Sequence, residues 1–227
     1  MVVCMIYLTS DLHIKHENIL LFEPKRKEVL GQTIEEHDAA LIARINAKVR
    51  PEDTLIIVGD FGLSSISSIK ESRKKINCSN IVLVIGNHDR NSQASYYSAG
   101  FSCVCYEIVI KIAKEYVRIR HHPYRKPWWK CMFPWQWKER DRNKRPVNRG
   151  GFLLHGHIHS GGHADGAWRV RGKQINIGTD VSNYYPVSMK ELEGIISRKK
   201  TEIEKESIKY KAKQLLYKVR KLIRIRI

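Results

Sequence analysis

Ile81-Val82-Leu83-Val84-Ile85-Gly86-Asn87-His88-Asp89 is an apolar, largely β-branched run that stops at a glycine and then presents an amide, an imidazole and a carboxylate. Five apolar residues without alternation read as a strand buried on both faces, as in a parallel sheet. The same design occurs twice upstream, where residues 2–9 end at Ser10-Asp11 and Thr54-Leu55-Ile56-Ile57-Val58 ends at Gly59-Asp60. Between these runs the period becomes helical. Ile34, Asp38, Leu41, Ile42 and Ile45 set a 3.6-residue spacing over 34–49, and 64–76 reads as a second helix. Strand, helix, strand, helix, strand predicts a sheet with helices packed on it, whose ligands collect outside the carboxyl ends of the strands. All three polar tips lie at such ends.

Further along, the pattern changes. Residues 103–110 and 116–120 read as neighbouring strands joined by a polar turn, which predicts a second, more antiparallel sheet. Phe152-Leu153-Leu154 runs into His155-Gly156-His157-Ile158-His159, and Gln174-Ile175-Asn176-Ile177 ends at Gly178, so polar groups again gather at strand ends. Ser188 followed by Glu191 is a capping-box signal for a helix running toward the C-terminus.

Composition bounds the classes. With 227 residues, 42% hydrophobic and 28% charged, the chain can bury a sizeable core and does not resemble a disordered one. No apolar run approaches the roughly 18–20 residues that span a bilayer, and the first eight residues lack a basic leader and a cleavage site, which disfavours export. The cysteines at 4, 78, 103, 105 and 131 are odd in number and form no CxxC pair. Neither a disulfide framework nor a zinc ribbon is suggested, and a reducing cytoplasm is the expected compartment. The net charge of +18 sits in two segments, 118–149 and 198–227, at +9 each, while the other 165 residues balance. Such segments suit nucleic acid or an anionic lipid surface.

The strand tips together offer Asp11, His13, Asp60, Asn87, His88, the His121-His122 pair, His157 and His159. A thiolate-free mixture of carboxylate, amide oxygen and imidazole suits borderline divalent ions such as Mn²⁺, Fe²⁺, Zn²⁺ or Ni²⁺. Asp11 and His13, like His157 and His159, are two apart, so in extended backbone each pair points one way.

In this order, Ser10-Asp11-Leu12-His13, Gly59-Asp60, Gly86-Asn87-His88-Asp89, His121-His122-Pro123 and Gly156-His157-Ile158-His159 resemble the motif set of the calcineurin-like metallophosphoesterases. Residues 13–20 (HIKHENIL), 50–54, 145–147 and 176–180 are similar to a compact phage and bacterial branch. The resemblance spans roughly 5–196 and implies an α/β fold, a four-layer α/β/β/α sandwich, here with a basic aromatic insertion and a C-terminal amphipathic helix. It assigns Asp11, His13 and His159 to one metal, and Asn87, His157 and His121 to the other, with Asp60 bridging. His122 is an alternative ligand, because adjacent strand residues face opposite ways and the sequence does not show which way the strand is turned. His88 would act at the transition state or as leaving-group acid, with Asp89 orienting it. The implied chemistry is a two-metal, in-line displacement at phosphorus, with Mn²⁺ first among Fe, Zn, Ni and Mg as cofactor.

Around that centre, His16 and Asn18 are close enough in sequence to line the same cleft as substrate contacts. The insertion sets Trp128, Trp129, Trp135 and Trp137 among Arg125, Lys126, Lys130, Lys138, Arg140 and Arg142, a mixture that suits single-stranded nucleic acid, a water–lipid interface or a loop burying its tryptophans on the domain, with Arg125, Trp128 and Arg142 as candidate contacts. After Thr201, Ile208, Ala212, Leu215, Leu216, Val219, Leu222 and Ile223 form one helical stripe backed by Lys and Arg, fit for anionic lipid, nucleic acid or a partner helix. The expected organisation is a phosphoesterase domain over 1–197 and a basic extension over 198–227. Three functions remain open: a phosphodiesterase acting on nucleic acid or nucleotides, a hydrolase of lipid-linked phosphate or pyrophosphate peripheral to a membrane, and a basic nucleic-acid-binding protein with a vestigial metal site.

Overall fold

The three runs with polar tips form adjacent parallel strands. A computed structural model of the chain describes residues 4–124, 145–160 and 170–224, with side chains as far as Leu215. In it β1 (Ile6–Thr9), β2 (Thr54–Val58) and β3 (Asn80–Val84) lie side by side in parallel. β4 (Cys103–Cys105) extends this sheet beyond β3, and β10 (Val187–Ser188) closes its other edge antiparallel to β1. The second sheet holds β5 (Ile108–Ile112), β6 (Glu115–Ile119), β7 (Phe152–His155), β9 (Gln174–Asn176) and β8 (Val170–Arg171) in that spatial order. Here β5–β6 and β8–β9 pair antiparallel, whereas β6, β7 and β9 run parallel.

One expected strand is two. Residues 103–110 do not run continuously in the second sheet: Cys103–Cys105 completes the first, and the chain changes sheets at Tyr106-Glu107 before β5 begins. Ile85 N–H still donates to the Cys105 carbonyl at 2.8 Å, while Glu107 reaches across to Arg118 at 2.8 Å. Both halves are strand-like, so the pattern of apolar residues carries no mark of the transfer.

Burial on both faces explains the unbroken apolar runs. Leu55 and Ile57 of β2, with Ile81 and Leu83 of β3, pack under α3 (Ile34–Lys48), α4 (Ile66–Lys74) and α5 (Gln93–Ser98), meeting Leu41, Ile45, Ile69 and Tyr96. Their alternates Ile56, Val58 and Val84 turn the other way onto Val117, Ile119, Phe152, Leu154 and Ile175 of the second sheet. Helices, first sheet and second sheet are therefore stacked in that order, a mixed α/β architecture with two sheets. α6 (Met189–Arg224) adds Leu192 and Ile196 to the core between the sheets. α3 begins in a reciprocal cap between Thr33 and Glu36, and α6 begins where Glu191 accepts from Ser188 N–H at 2.7 Å. The short helices α1 (Ile19–Phe22) and α2 (Lys25–Leu30) have no strong sequence signal, yet α2 carries Arg26, which is fully buried.

Beyond Ile196 the last helix leaves the core, and Ile208 and Leu215 are 68% and 65% exposed. No helix among the described residues is long and apolar enough to cross a membrane. Two stability outcomes follow from this division. Ending the chain at Lys200, whose ammonium meets Glu115 at 2.6 Å, should change the unfolding free energy by less than about 0.5 kcal/mol. Leu192→Ala should cost about 2–5 kcal/mol, because it opens a cavity in the core between the sheets. Urea titrations of both variants test this, and a large loss on truncation would mean that the exposed turns of α6 carry folding energy.

Candidate metal centre

The loops after β1 and β2 stay paired beyond their strands: Asp11 N–H donates to Gly59 O at 3.1 Å, and His13 N–H to Asp60 O at 3.0 Å. Two carboxylates fasten the remaining tips. Asp89 accepts from the backbone N–H groups of Asp60 (2.8 Å), Phe61 (3.0 Å) and Gly86 (2.8 Å), joining the tips of β2 and β3. Asp11 accepts from His157 N–H at 2.9 and 3.0 Å, joining the first sheet to the second. Asp11, His13, Asp60, His157 and His159 all adopt left-handed φ, between 47° and 71°. Non-glycine residues rarely do so, and such strain gathers where side chains must converge. Gly59 (φ +84°) and Gly156 permit the convergence, since a Cβ would strike the His121 ring from the first and the Ser10 and Asp11 side chains from the second.

The donors meet around two oxygen atoms. Asp60 Oδ2 lies 3.6 Å from His13 Nε2 and 3.2 Å from His121 Nε2. Asn87 Oδ1 lies 3.0 Å from the same His121 nitrogen and 2.8 Å from His157 Nδ1. Donor atoms of Asp11, His13 and His159 fall within 4.8 Å of one another, as do those of Asp11, Asp60 and His121. Two features fit a divalent ion here. His13 Nε2 is buried without a hydrogen-bond partner among the described residues. His121 Nδ1 lies 3.0 Å from the Val58 carbonyl and so donates to it, and Nε2 faces two oxygens, an arrangement that needs a proton or a metal ion between them.

Charge is shared unevenly among these rings. Burial would lower the His121 pKa, but the Asp60 carboxylate at its Nε2 outweighs that and pushes it up to about 9. His157 has no such partner, and burial beside His121 and His122 brings it down to about 3. His13 is also driven well below the ordinary histidine value by burial, against the pull of Asp60. Burial raises Asp89, with the Asp60 charge adding to it, to about 6. His155 stays in the core with Nδ1 at 2.8 Å from the Gly156 carbonyl, and burial lowers it to about 4.

All seven ligands suggested by the motifs converge on this point, and of the histidine pair His121 lies between Asp60 and Asn87. The His122 ring packs on His157, with centroids 4.5 Å apart, and its donor atom falls within 4.8 Å of those of His121 and His157. Asp89 does not orient His88: its carboxylate is committed to three backbone amides, a role that its place next to the imidazole did not suggest. His88 donates its own backbone N–H to Asp60 Oδ1 at 2.8 Å, and its ring lies 5.0 Å from His13 and 5.4 Å from His16. His16 Nδ1 comes within 3.0 Å of His13 Nδ1, which brings it into the cluster. Asn18 is exposed and occupies the N-cap of α1 without a side-chain capping bond. Arg125, Trp128, Arg142 and the rest of 125–144 lie outside the described residues. Sequence reasoning missed Asp180 and Arg26. Asp180 Oδ2 lies 2.9 Å from His159 Nδ1 and binds the buried Arg26 guanidinium through both oxygens, at 2.7 Å each.

A family model described as calcineurin-like phosphoesterase matches residues 5–177. An uncharacterized protein of Methanocaldococcus jannaschii is 28% identical over 188 residues, covering 81% of this chain and 86% of that protein. The Gene 66 protein of Mycobacterium phage L5 is 26% identical over 198 residues, covering 77% and 86%. Among solved structures, a protein of unknown function from Aquifex aeolicus shares the fold, with a TM-score of 0.58 and 24% identity over 86% of this chain and 100% of that one.

The contacts of Asp89 separate fastening from catalysis. Asp89→Ala strips the acceptor from three buried N–H groups and should destabilise the metal-free protein by about 3 kcal/mol or more, read by denaturant unfolding. Lost turnover at unchanged stability would restore the role of orienting His88.

Proposed function

Because the chain belongs to the calcineurin-like phosphoesterase family and is a hydrolase of phosphate esters, we propose that it works with two divalent ions on phosphodiesters of nucleic acid or nucleotides. The observation that carries the two-ion reading is Asp60, whose single Oδ2 faces an imidazole of each group, His13 at 3.6 Å and His121 at 3.2 Å. Asp11, His13, Asp60 and His159 would hold the first ion; Asp60, Asn87, His121 and His157 the second. Mn²⁺ is the proposed metal, and Fe, Zn, Ni or Mg would suit the same nitrogen and oxygen donors. Such ions, when bound, supply polarisation of the phosphoryl oxygens and a water acidic enough to lose its proton near neutral pH.

The chain's own residues do the rest. His88 is held at the edge of the centre by its backbone bond to Asp60, and its Nδ1 is buried without a hydrogen-bond partner among the described residues. The imidazole is therefore placed to stabilise and protonate the leaving oxygen. His16 beside it, and Asn18, whose amide makes no capping bond to α1, are proposed to steady the phosphoryl group. Arg125, Trp128 and Arg142 would extend contact along a polynucleotide, cations to phosphates and indole to base.

A second reading, hydrolysis of a lipid-linked phosphate or pyrophosphate, is favoured by one observation: the exposed Ile208 and Leu215 on a helix otherwise rich in lysine. In either reading the basic segments, with 198–227 as an extension of the 1–197 domain, supply affinity for a large anion, and the ions supply the chemistry. The intact ligand set speaks against a vestigial site.

Reconstituted protein should hold two Mn²⁺ per chain. Asp60→Ala should abolish turnover and lower metal content, being the one change that strips both positions. His88→Ala should keep both ions and lose about 10²–10⁴-fold in turnover, less on substrates with a good leaving group such as nitrophenolate. Metal content at or below one ion, or near-normal turnover of Asp60→Ala, would sink the two-ion reading. The chain ending at Lys200 should retain hydrolysis of a small chromogenic diester. Its binding to single-stranded DNA or RNA should depend less steeply on salt than that of the full chain. Loss of binding to anionic vesicles alone would favour the lipid reading instead.

A further inference from the structure

Arg26 is an arginine with no exposed surface, and the guanidinium has five N–H groups to satisfy. Each finds an acceptor. Nε and Nη2 grip the two oxygens of Asp180, at 2.7 Å each. Nη2 also donates to the Asp11 carbonyl at 2.7 Å, and Nη1 to the Leu12 carbonyl at 3.1 Å. The fifth contact is His37 Nε2, 3.2 Å from Nη1. Since arginine cannot accept, that nitrogen carries the lone pair. His37 Nδ1–H therefore donates to Asp38 Oδ1 at 2.9 Å, and Asp38 Oδ2 accepts from Lys15 N–H at 3.0 Å.

This chain of bonds encloses the loop 11–15, whose residues Asp11, His13 and Lys15 all have left-handed φ. At its other end Asp180 meets His159 Nδ1 at 2.9 Å. The two groups of ligands are thus backed differently. His159 in the first has a carboxylate hydrogen-bonded behind its ring, itself held by Arg26, whereas the hydrogen bond behind His121 in the second is to the neutral carbonyl of Val58 at 3.0 Å, the Asp11 carboxylate standing farther off at 3.9 Å. A carboxylate behind an imidazole fixes the tautomer and raises the donor strength of the opposite nitrogen; a neutral carbonyl fixes the tautomer with a smaller effect on donor strength.

We propose that Asp180 and Arg26 are a positioning pair that makes the two ion positions unequal, so that the position of Asp11, His13 and His159 fills first and releases its ion last. This rests on the two-ion reading. Lysine in place of Arg26 would keep the charge and lose the two-pronged grip.

The test is a Mn²⁺ titration of the full chain followed by calorimetry. Wild type should bind two ions in distinguishable steps, and Asp180→Asn should weaken the tighter step by about 10- to 100-fold while leaving the other in place. Arg26→Lys should act in the same direction. In an Asn87→Ala background, which spares the first group, the Asp180→Asn effect should persist. Equal weakening of both steps, no weakening, or disappearance of the effect in that background would overturn the proposal. Fewer than two ions in wild type would instead overturn the two-ion reading beneath it. Should neither Asp180→Asn nor Arg26→Lys fold, zinc-loaded wild type still decides, through long-range ¹H–¹⁵N spectra of its histidines. His159 as the Nδ1–H tautomer supports the pair, and His159 as the Nε2–H tautomer overturns it.

Discussion

Four imidazoles, two carboxylates and an amide oxygen have to meet at the ends of two different sheets, and straight strands cannot bring them there. The chain solves this by turning left-handed at Asp11, His13, Asp60, His157 and His159. Each such turn costs on the order of 1–3 kcal/mol when no glycine is present to relieve it. The surrounding bonds read as the means of holding that backbone in place. Asp89 clamps three amides of the tips of β2 and β3, Asp11 clamps His157, and Arg26 clamps the carbonyls of Asp11 and Leu12. Rigid placement of the donors and strain in the backbone are thus two descriptions of one arrangement.

The parts that were legible in the sequence share a property: they depend on short-range order. An apolar run followed within two or three residues by Asp, Asn or His announces a strand tip with a ligand, and β1, β2, β3 and β7 all follow that rule. The ambiguity between His121 and His122 has the opposite character. What distinguishes the two rings is the carbonyl of Val58, 63 residues away from His121, against which that ring lies. Arg26 and Asp180 are 154 residues apart, and an arginine next to two lysines on a short helix looks like solvated surface until the fold buries it. Asp89 misled for a local reason, because its nearest side chain in sequence is not its partner in space.

Packing four histidines so closely raises an electrostatic difficulty, since their protonated forms repel. The partners resolve it by sending neighbouring rings in opposite directions. His121 and His157 have centroids 5.2 Å apart, and the Asp60 carboxylate raises the first to about 9 while burial brings the second down to about 3. A site so built contains nitrogen donors that are already free of protons beside others that surrender theirs only to a competing cation.

The last helix has a consequence of a mechanical kind. α6 starts directly on β10, which pairs with β1, the strand that leads to Asp11, and it continues without a break as far as Arg224. The 27 residues from Met189 to Leu215 measure about 40 Å at 1.5 Å per residue. A flexible tail would only raise the local concentration of whatever it held. A continuous helix acts as a ruler: if α6 holds an anion as proposed, that anion is kept at a set distance from the strand tips where Asp11 and Asp60 lie, and the proposed substrate would be chosen by the separation of its ester from the gripped end.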